Sequence, residues 1–431
     1  MMTLLLSLAC IKPTPPGPSP AQQRESLRAV VFSEHAQGAP VTIQLAVQAG
    51  SATDPTGAEG LAWLTAHMLS EGGIGAESPA RLDHHLAALD ASLSVLVDKD
   101  LVRFTGQAPA ENAQALSELM AQMLTEPAWT PAYLDVLKQR AQGLLAAPPA
   151  LELLALELWV NHGHPYGHAD FGRQGSLELL TLEQVQAHHR DTYLRDSIAV
   201  GISGPDEDTL AATLDQGLMA LGVGRSALPQ PYTRQVPDAP TLLPVQGATA
   251  APVLGLPLEP TRDSAQWPAL ELALVALGQE HPEWGLSLSA PAQRRQATLV
   301  LEPGGALPEA KATLRALQDA LDAGLTQEQL DAGRQAHLAW AQEQTEDPDA
   351  ALVIAVETAA LGLPDPLAPL PYEAVTLEQA QAALAQGVDL DGVRIVAVSD
   401  DPATLQGSLG EESGLPTVQA RDPLTPQELL R

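Results

Sequence analysis

The chain has 431 residues, 45% of them hydrophobic but only 3% aromatic, so Leu and Ala must fill most of any core. Its 22 basic against 53 acidic residues leave a net charge of −31, which argues against binding nucleic acid or an anionic membrane through a basic surface. The length suits two domains of about 200 residues, and the single cysteine, Cys10, excludes both an intrachain disulfide and a two-cysteine metal site.

An apolar run, MMTLLLSLA, leads into Cys10, and IKPTPPGPSP follows it as a proline-rich tether with little capacity to pack. The arrangement resembles a bacterial lipoprotein signal, in which Cys10 becomes the lipidated first residue. No Lys or Arg precedes the run, and Ser7 stands where Leu is usual. The expectation is a periplasm-facing lipoprotein of the bacterial cell envelope, in the outer membrane and held by its lipid anchor only. The other readings are an ordinary secretory signal or a disordered cytoplasmic N-terminus. No other segment has the ~20 uninterrupted apolar residues of a membrane span.

Beyond the tether, SLRAVVFSEHAQGAPVTIQLAVQAG reads as two strands around a turn, the second alternating through Val41, Ile43, Leu45 and Val47. Gly60 to Leu69 is a helix apolar nearly all round, the pattern of a buried helix, and Pro79 to Leu89 is a second. ASLSVLVDKDLVRFTGQAP reads as a hairpin with Asp98, Lys99 and Asp100 at its turn. Glu111 to Leu124 has helical periodicity, and Thr130-Pro131 opens another helix as N-cap and first residue. A proline-rich linker runs from Ala227 to Pro252.

Past the linker the chain repeats itself. LTLEQVQA at Leu180 to Ala187 recurs as VTLEQAQA at Val375 to Ala382, about 195 residues later, and each copy leads into a β-branched strand, SIAVGIS or VRIVAVS. Two copies imply a duplicated domain rather than a solenoid. Between them, two helices join at Gly324-Leu325-Thr326, with Thr326 an N-cap and Glu328 in the first turn. The expected segments are a signal and tether over 1–24, an N-terminal domain over 25–226, a linker over 227–250, a shortened second domain over 251–405, and a polar, loosely ordered tail over 406–431.

The neighbourhood of the first helix, AGSATDPTGAEGLAWLTAHMLSEGG, resembles the pitrilysin/insulinase family of zinc metallopeptidases, whose helix carries His-x-x-Glu-His. Residues i, i+3 and i+4 share a helical face, so two imidazoles hold zinc while the carboxylate activates its water. Here those five positions are Trp63, Leu64, Thr65, Ala66 and His67. One ligand and the general base are replaced, and His67 alone falls short of the three ligands a catalytic zinc needs. The family's last ligand is a Glu from a later helix. The corresponding stretch, Tyr133 to Leu145, has only Asp135, while Glu152 and Glu157 follow the break at Pro148-Pro149. No catalytic residue, no metal site and no cofactor are therefore expected, although active relatives use zinc.

A second block is also similar to this family: His164-Pro165-Tyr166-Gly167, then Gly172, Gly175 and Leu180 to Gln184, where a structural loop precedes a helix and closing strand. His162, His164 and His168 invite a metal reading, but the loop implies a structural one. His188 and His189 point about 100° apart on a helix and suit a chelate poorly. The second half keeps Leu277-Gly278, but no Tyr lies between Tyr232 and Tyr372, so the family's substrate-gripping Arg…Tyr pair has no place. Arg294 and Arg295 read as solvated charges beside a strand.

The resemblance and the repeat imply an α+β fold of two homologous halves. Each is an antiparallel sheet with helices on one face, and the halves face each other across a cleft. They also imply a non-catalytic homologue, the partner subunit of an active zinc-bearing relative in a hetero-oligomer, with a peptide in the cleft. The alternatives are a scaffold or peptide-binding lipoprotein without proteolytic role, and an active metalloenzyme that combines His67 with His84, His85 or the loop histidines.

Overall fold

The computed structural model describes residues 27–33, 38–226, 239–289, 296–407 and 418–430, and the readings at Cys10 and at Arg294 and Arg295 lie outside them. In the first half the strands are β1 (Ala29–Ser33), β2 (Val41–Val47), β3 (Ser92–Val97), β4 (Val102–Ala108) and β5 (Ile198–Ser203), in the order β1-β5-β2-β4-β3. The two strands expected around a turn both exist, but they do not pair. β5 lies between them, parallel to β1 and antiparallel to β2. Such a long-range pairing leaves no trace in local periodicity.

The helices of this half are α1 (Leu61–Glu71), α2 (Pro79–Ala88), α3 (Ala113–Thr125), α4 (Pro131–Ala146), α5 (Leu151–Val160), α6 (Gln174–Leu179), α7 (Leu182–Thr192) and α8 (Glu207–Gly217). In the second half the strands are β6 (Thr241–Gln246), β7 (Val253–Pro257), β8 (Ser287–Leu288), β9 (Thr298–Leu301), β10 (Arg394–Ser399) and β11 (Gln419–Ala420). Their order, β11-β6-β10-β7-β9-β8, repeats that of the first sheet with one strand added at the edge. The helices here are α9 (Trp267–Glu280), α10 (Leu307–Ala323), α11 (Gln327–Glu346), α12 (Pro348–Leu361), α13 (Pro369–Glu373), α14 (Leu377–Gly387), α15 (Ala403–Gly407) and α16 (Pro426–Leu429).

The repeated LEQ segments open α7 and α14 with the same reciprocal cap. Thr181 Oγ1 accepts from Gln184 N at 3.3 Å and Gln184 Oε1 from Thr181 N at 2.8 Å; Thr376 and Gln379 do the same at 3.3 and 2.9 Å. Each helix then delivers its strand, β5 or β10, to the same place in its sheet.

Two stretches differ from the sequence reading. β6 forms inside the proline-rich stretch taken as linker, and it pairs along its whole length with β10. The tail is not loose over 418–430: β11 pairs with the open edge of β6, and α16 packs on α4. An edge strand with unpaired backbone groups gives a polar tail something to bind.

Each half is an antiparallel sheet with its helices on one face, extended by one parallel outer strand in the first half and two in the second. The other face of each sheet is covered by a helix from the opposite half. α12 lies on β1, β2 and β5, and α5 lies on β7 and β10. Leu352, Val356 and Ala360 meet Ala46 and Ala199 in one seam, while Leu156 and Val160 meet Val253, Val396 and Val398 in the other. Burying each such Leu or Val contributes about 1.5–3 kcal/mol, so the exchange ties the halves firmly. Arg28 Nε adds a bond to Ala359 O at 3.0 Å, Trp159 Nε1 one to Thr241 Oγ1 at 3.2 Å, and Arg103 pairs with Glu357.

Candidate functional site

α1 starts where the Asp54 carboxylate accepts from the backbone N–H groups of Gly60 and Ala62, both at 2.7 Å. Those N–H groups would otherwise lack partners at the helix start. Burial pushes this carboxyl well above its ordinary range, against the pull of the two bonds. Gly60 and Gly172 have φ of +97° and +100° and their backbones touch: a Cβ on Gly172 would lie 2.6 Å from Glu59 O. Only glycines allow the later loop to seat against this turn.

One turn into α1, the rings of Trp63 and His67 pack at a tilt of 42°, 4.0 Å between centroids, on the shared face of an i, i+4 pair. The helix runs two residues beyond the expected Leu69 and so includes Glu71 on the same face. His67 Nδ1 lies 2.7 Å from Glu71 Oε1. From α4, Arg140 grips both carboxylate oxygens at 3.0 and 2.8 Å, and Tyr133 O–H donates to Oε2 at 2.9 Å. Burial works to raise the Glu71 carboxyl, but the bonds from His67, Arg140 and Tyr133 win and pull it from 4.5 to about 2. The ionised carboxylate is an acceptor only, so the Nδ1 of His67 carries the proton. Burial and then Glu71 push the Tyr133 hydroxyl up to about 12.

Glu71→Gln should cost about 1–2 kcal/mol at pH 7 in urea unfolding, a modest figure because Arg140 is half exposed to water. The folded value lies below the unfolded one, so this stabilisation is complete above pH 4.5 and lost as pH falls through 2. The gap between wild type and variant should close over that window.

Zinc does not fit this set. Trp63 offers a donor-only indole and Ala66 a methyl group, so the Nε2 of His67, whose Nδ1 faces Glu71, is the one ligand this face supplies, short of the three a catalytic zinc needs; the two oxygens of Glu71 are claimed by three partners. Asp135 on α4 is exposed, and Glu157 pairs with Lys99 instead. Among the described residues, no three His, Cys, Asp or Glu side chains converge to hold a metal ion.

The other concentration of charge lies behind the start of α1. Lys99, read as part of a hairpin turn, is fully buried: its Nζ lies 2.9 Å from Asp170, 3.2 Å from Glu157, and donates to His168 O at 2.7 Å. Asp170 also accepts from Ser51 Oγ at 2.6 Å. Burial raises Glu157 to about 7 although Lys99 opposes it. The glycine-rich loop completes this centre. Tyr166 is buried and its O–H reaches Asp100 at 2.5 Å, while a Cβ on Gly167 would lie 2.4 Å from Asn161 O. Pro165 lies between His164 and Tyr166, whose rings meet edge to face at 4.5 Å.

The histidines go to separate partners. His162 packs edge-on against Trp159, His168 Nε2 lies 3.4 Å from Asp54, His85 lies 3.5 Å from Glu77, and His189 Nε2 bonds Leu124 O at 2.8 Å. His84 joins none of them in a metal-binding group. Burial, with Lys99 for His168 and His189 for His188, lowers both His168 and His188 from 6.5 to about 4. Between those values the folded chain holds fewer protons than the unfolded one, so stability falls as pH drops from 6.5 to 4. His188 Nε2 has no partner among the described residues. His188→Leu should therefore fold, and should lose about 2–3 kcal/mol less than wild type across that window in pH-dependent urea titrations.

Glu71, Tyr133 and Arg140 escape the sequence reading. The available signal was the i, i+4 spacing of His67 and Glu71 and the two-turn spacing of Tyr133 and Arg140 on one face of α4.

Residues 30–147 match the family model described as insulinase, peptidase family M16. A search of curated protein sequences finds no match. Among solved structures, the chain is similar to a peptidase M16 inactive domain from Pseudomonas fluorescens, with TM-score 0.71 and 20% identity over 87% of this chain and 97% of that one. It is also similar to a protease from Helicobacter pylori, with TM-score 0.72 and 14% identity over 87% and 98%. The periplasmic protease PqqL from Escherichia coli aligns with TM-score 0.71 and 13% identity over 90% of this chain but 48% of that one. At these identities the structural likeness carries the fold.

Proposed function

We propose that this chain, an insulinase-type (peptidase family M16) protein by its fold and by residues 30–147, is non-catalytic by itself and serves as the partner subunit of a zinc-bearing homologue. One observation carries the reading: His67 is the one possible ligand on this face of α1, with Trp63 packed against it at 4.0 Å between ring centroids, and among the described residues no three His, Cys, Asp or Glu side chains converge. A peptidase of this type needs a metal-activated water and a base to take its proton. Ala66 supplies no base, and Trp63 no ligand.

The fold does not decide activity, since the similar structures include both a domain described as inactive and two proteins described as proteases. What supports inactivity is the site. What supports a paired role is a complete two-half body, with both sheets intact and joined by exchanged helices, which offers cleft walls and an inter-subunit surface without chemistry. The periplasmic description of PqqL supports an envelope location, with the anchor expected at Cys10.

Co-expression with a zinc-bearing homologue from the same genome tests the pairing. The expected result is a stable complex whose peptidase activity needs both chains. If both chains elute as monomers and the homologue's activity is indifferent to this chain, the pairing is wrong and a scaffold or peptide-binding lipoprotein takes its place.

A further inference from the structure

The second half holds a partly open cavity of about 170 Å³ away from the face of α1 described above. Trp267 and Glu271 of α9, Trp340 of α11, Glu357 of α12, Tyr372 of α13 and Arg262 from the loop before α9 line it. Glu357 is the residue that Arg103 of the first sheet pairs with, so the cavity adjoins the contact between the halves.

Arg262 is buried, with its guanidinium 4.8 Å from the Trp267 ring centroid. One of its terminal nitrogens donates to Ser289 O, while its Nε has no partner among the described residues. A buried N–H left unmet costs about 1–3 kcal/mol, so this one calls for an acceptor. Facing it are two carboxylates. Glu271 Oε2 accepts from Trp267 Nε1 at 2.9 Å and Tyr372 O–H at 2.8 Å. Glu357 gives Oε1 to Arg103, and the second oxygen of each carboxylate is left for another donor.

A simple cation would meet Arg262, and a simple anion would meet Glu271 and Glu357. A molecule carrying both charges meets neither penalty, and an apolar group on it would lie among Trp267, Trp340 and Tyr372. The volume is below the roughly 300–1,000 Å³ of sites for drug-sized ligands. We propose that the cavity binds a free amino acid with an apolar side chain, its carboxylate on Arg262, its ammonium on Glu271 and Glu357, and its side chain between the three aromatic rings.

The test is calorimetric titration of the whole chain with L-leucine, L-phenylalanine, leucinamide and N-acetyl-leucine, with thermal shift alongside. Leucine or phenylalanine should bind saturably and raise Tm. Leucinamide, without a carboxylate, and N-acetyl-leucine, without an ammonium, should each bind at least about tenfold more weakly. Trp340→Ala should weaken binding several-fold while the free protein still unfolds in one cooperative transition, because Trp340 is 39% exposed. Glu271→Gln should weaken leucine more than N-acetyl-leucine. The proposal is overturned if neither amino acid binds, if the two blocked analogues bind as tightly, or if Trp340→Ala leaves binding untouched.

Discussion

Replacing Lys99 with methionine should lower the stability of this protein by about 3–5 kcal/mol at pH 7, the largest loss expected from any single charged residue. Methionine fills nearly the same volume, so the loss is electrostatic. The Lys99 ammonium is fully buried, and Asp170, Glu157 and His168 O all converge on it. Removing it leaves two carboxylates facing each other without a counter-charge. Burial already holds Glu157 at about 7 with Lys99 present, and higher without it. The deficit in urea unfolding should therefore narrow as pH falls from 8 to 6, when Glu157 takes up a proton. A constant deficit across that range would show that lost packing, not charge, is the cause.

Gly201→Val should cost about 2–3 kcal/mol by overpacking, and it should do so by prying the two halves apart. A Cβ at position 201 would lie 2.2 Å from Val356 Cγ2 and 2.9 Å from Leu352 Cδ1, so α12 cannot seat on β5 without shifting. In the second sheet the glycine under the exchanged helix is Gly255, on β7 rather than on β10, where a Cβ would lie 2.8 Å from Val160 Cγ2 and 3.0 Å from Leu156 Cδ1. The neighbours give way more easily there, and Gly255→Val should cost about 1–2 kcal/mol. Limited proteolysis separates this account from simple local strain. Released α12 or α5 should be cut first in the respective variant, and Val356→Ala should restore part of the stability of Gly201→Val.

These two positions also show where sequence reading stops. The duplicated LEQ segments were visible because the reciprocal Thr–Gln cap is a local device with a fixed spacing. The strands after them were visible through β-branched runs. The helix at Leu61 was visible through its all-round apolarity, and the expectation that Trp63 and Ala66 stand at ligand and base positions came from the family resemblance. The exchange of α5 and α12 left only a faint signal: LELLALELWV and AALVIAVETAAL have no polar face, the mark of helices covered on more than one side. Which sheet each one covers depends on the path of the whole chain. The same holds for β5 between β1 and β2, for β6 inside a proline-rich stretch, and for a tail that closes a sheet edge.

At the site the limit was different. Trp63 and Ala66 led to the expectation of no metal centre, but not to the contacts that His67 makes instead. Arg140 and Tyr133 come from another helix, and their meeting with Glu71 is a tertiary event. A charged turn such as Asp98-Lys99-Asp100 ordinarily faces water. Here the loop from Asn161 to Arg173 and the turn before α1 close over it, and the buried Lys99 becomes the counter-ion of two half-buried carboxylates, Asp170 and Glu157.

The central claim is that the face of α1 bearing Trp63, His67 and Glu71 is a metal-free tie between α1 and α4. Its most direct test is the zinc content and zinc affinity of the purified chain by chelator competition, measured beside His67→Ala. The account predicts no stoichiometric zinc, with wild type and His67→Ala alike. One tightly held zinc per chain that disappears in His67→Ala would contradict it.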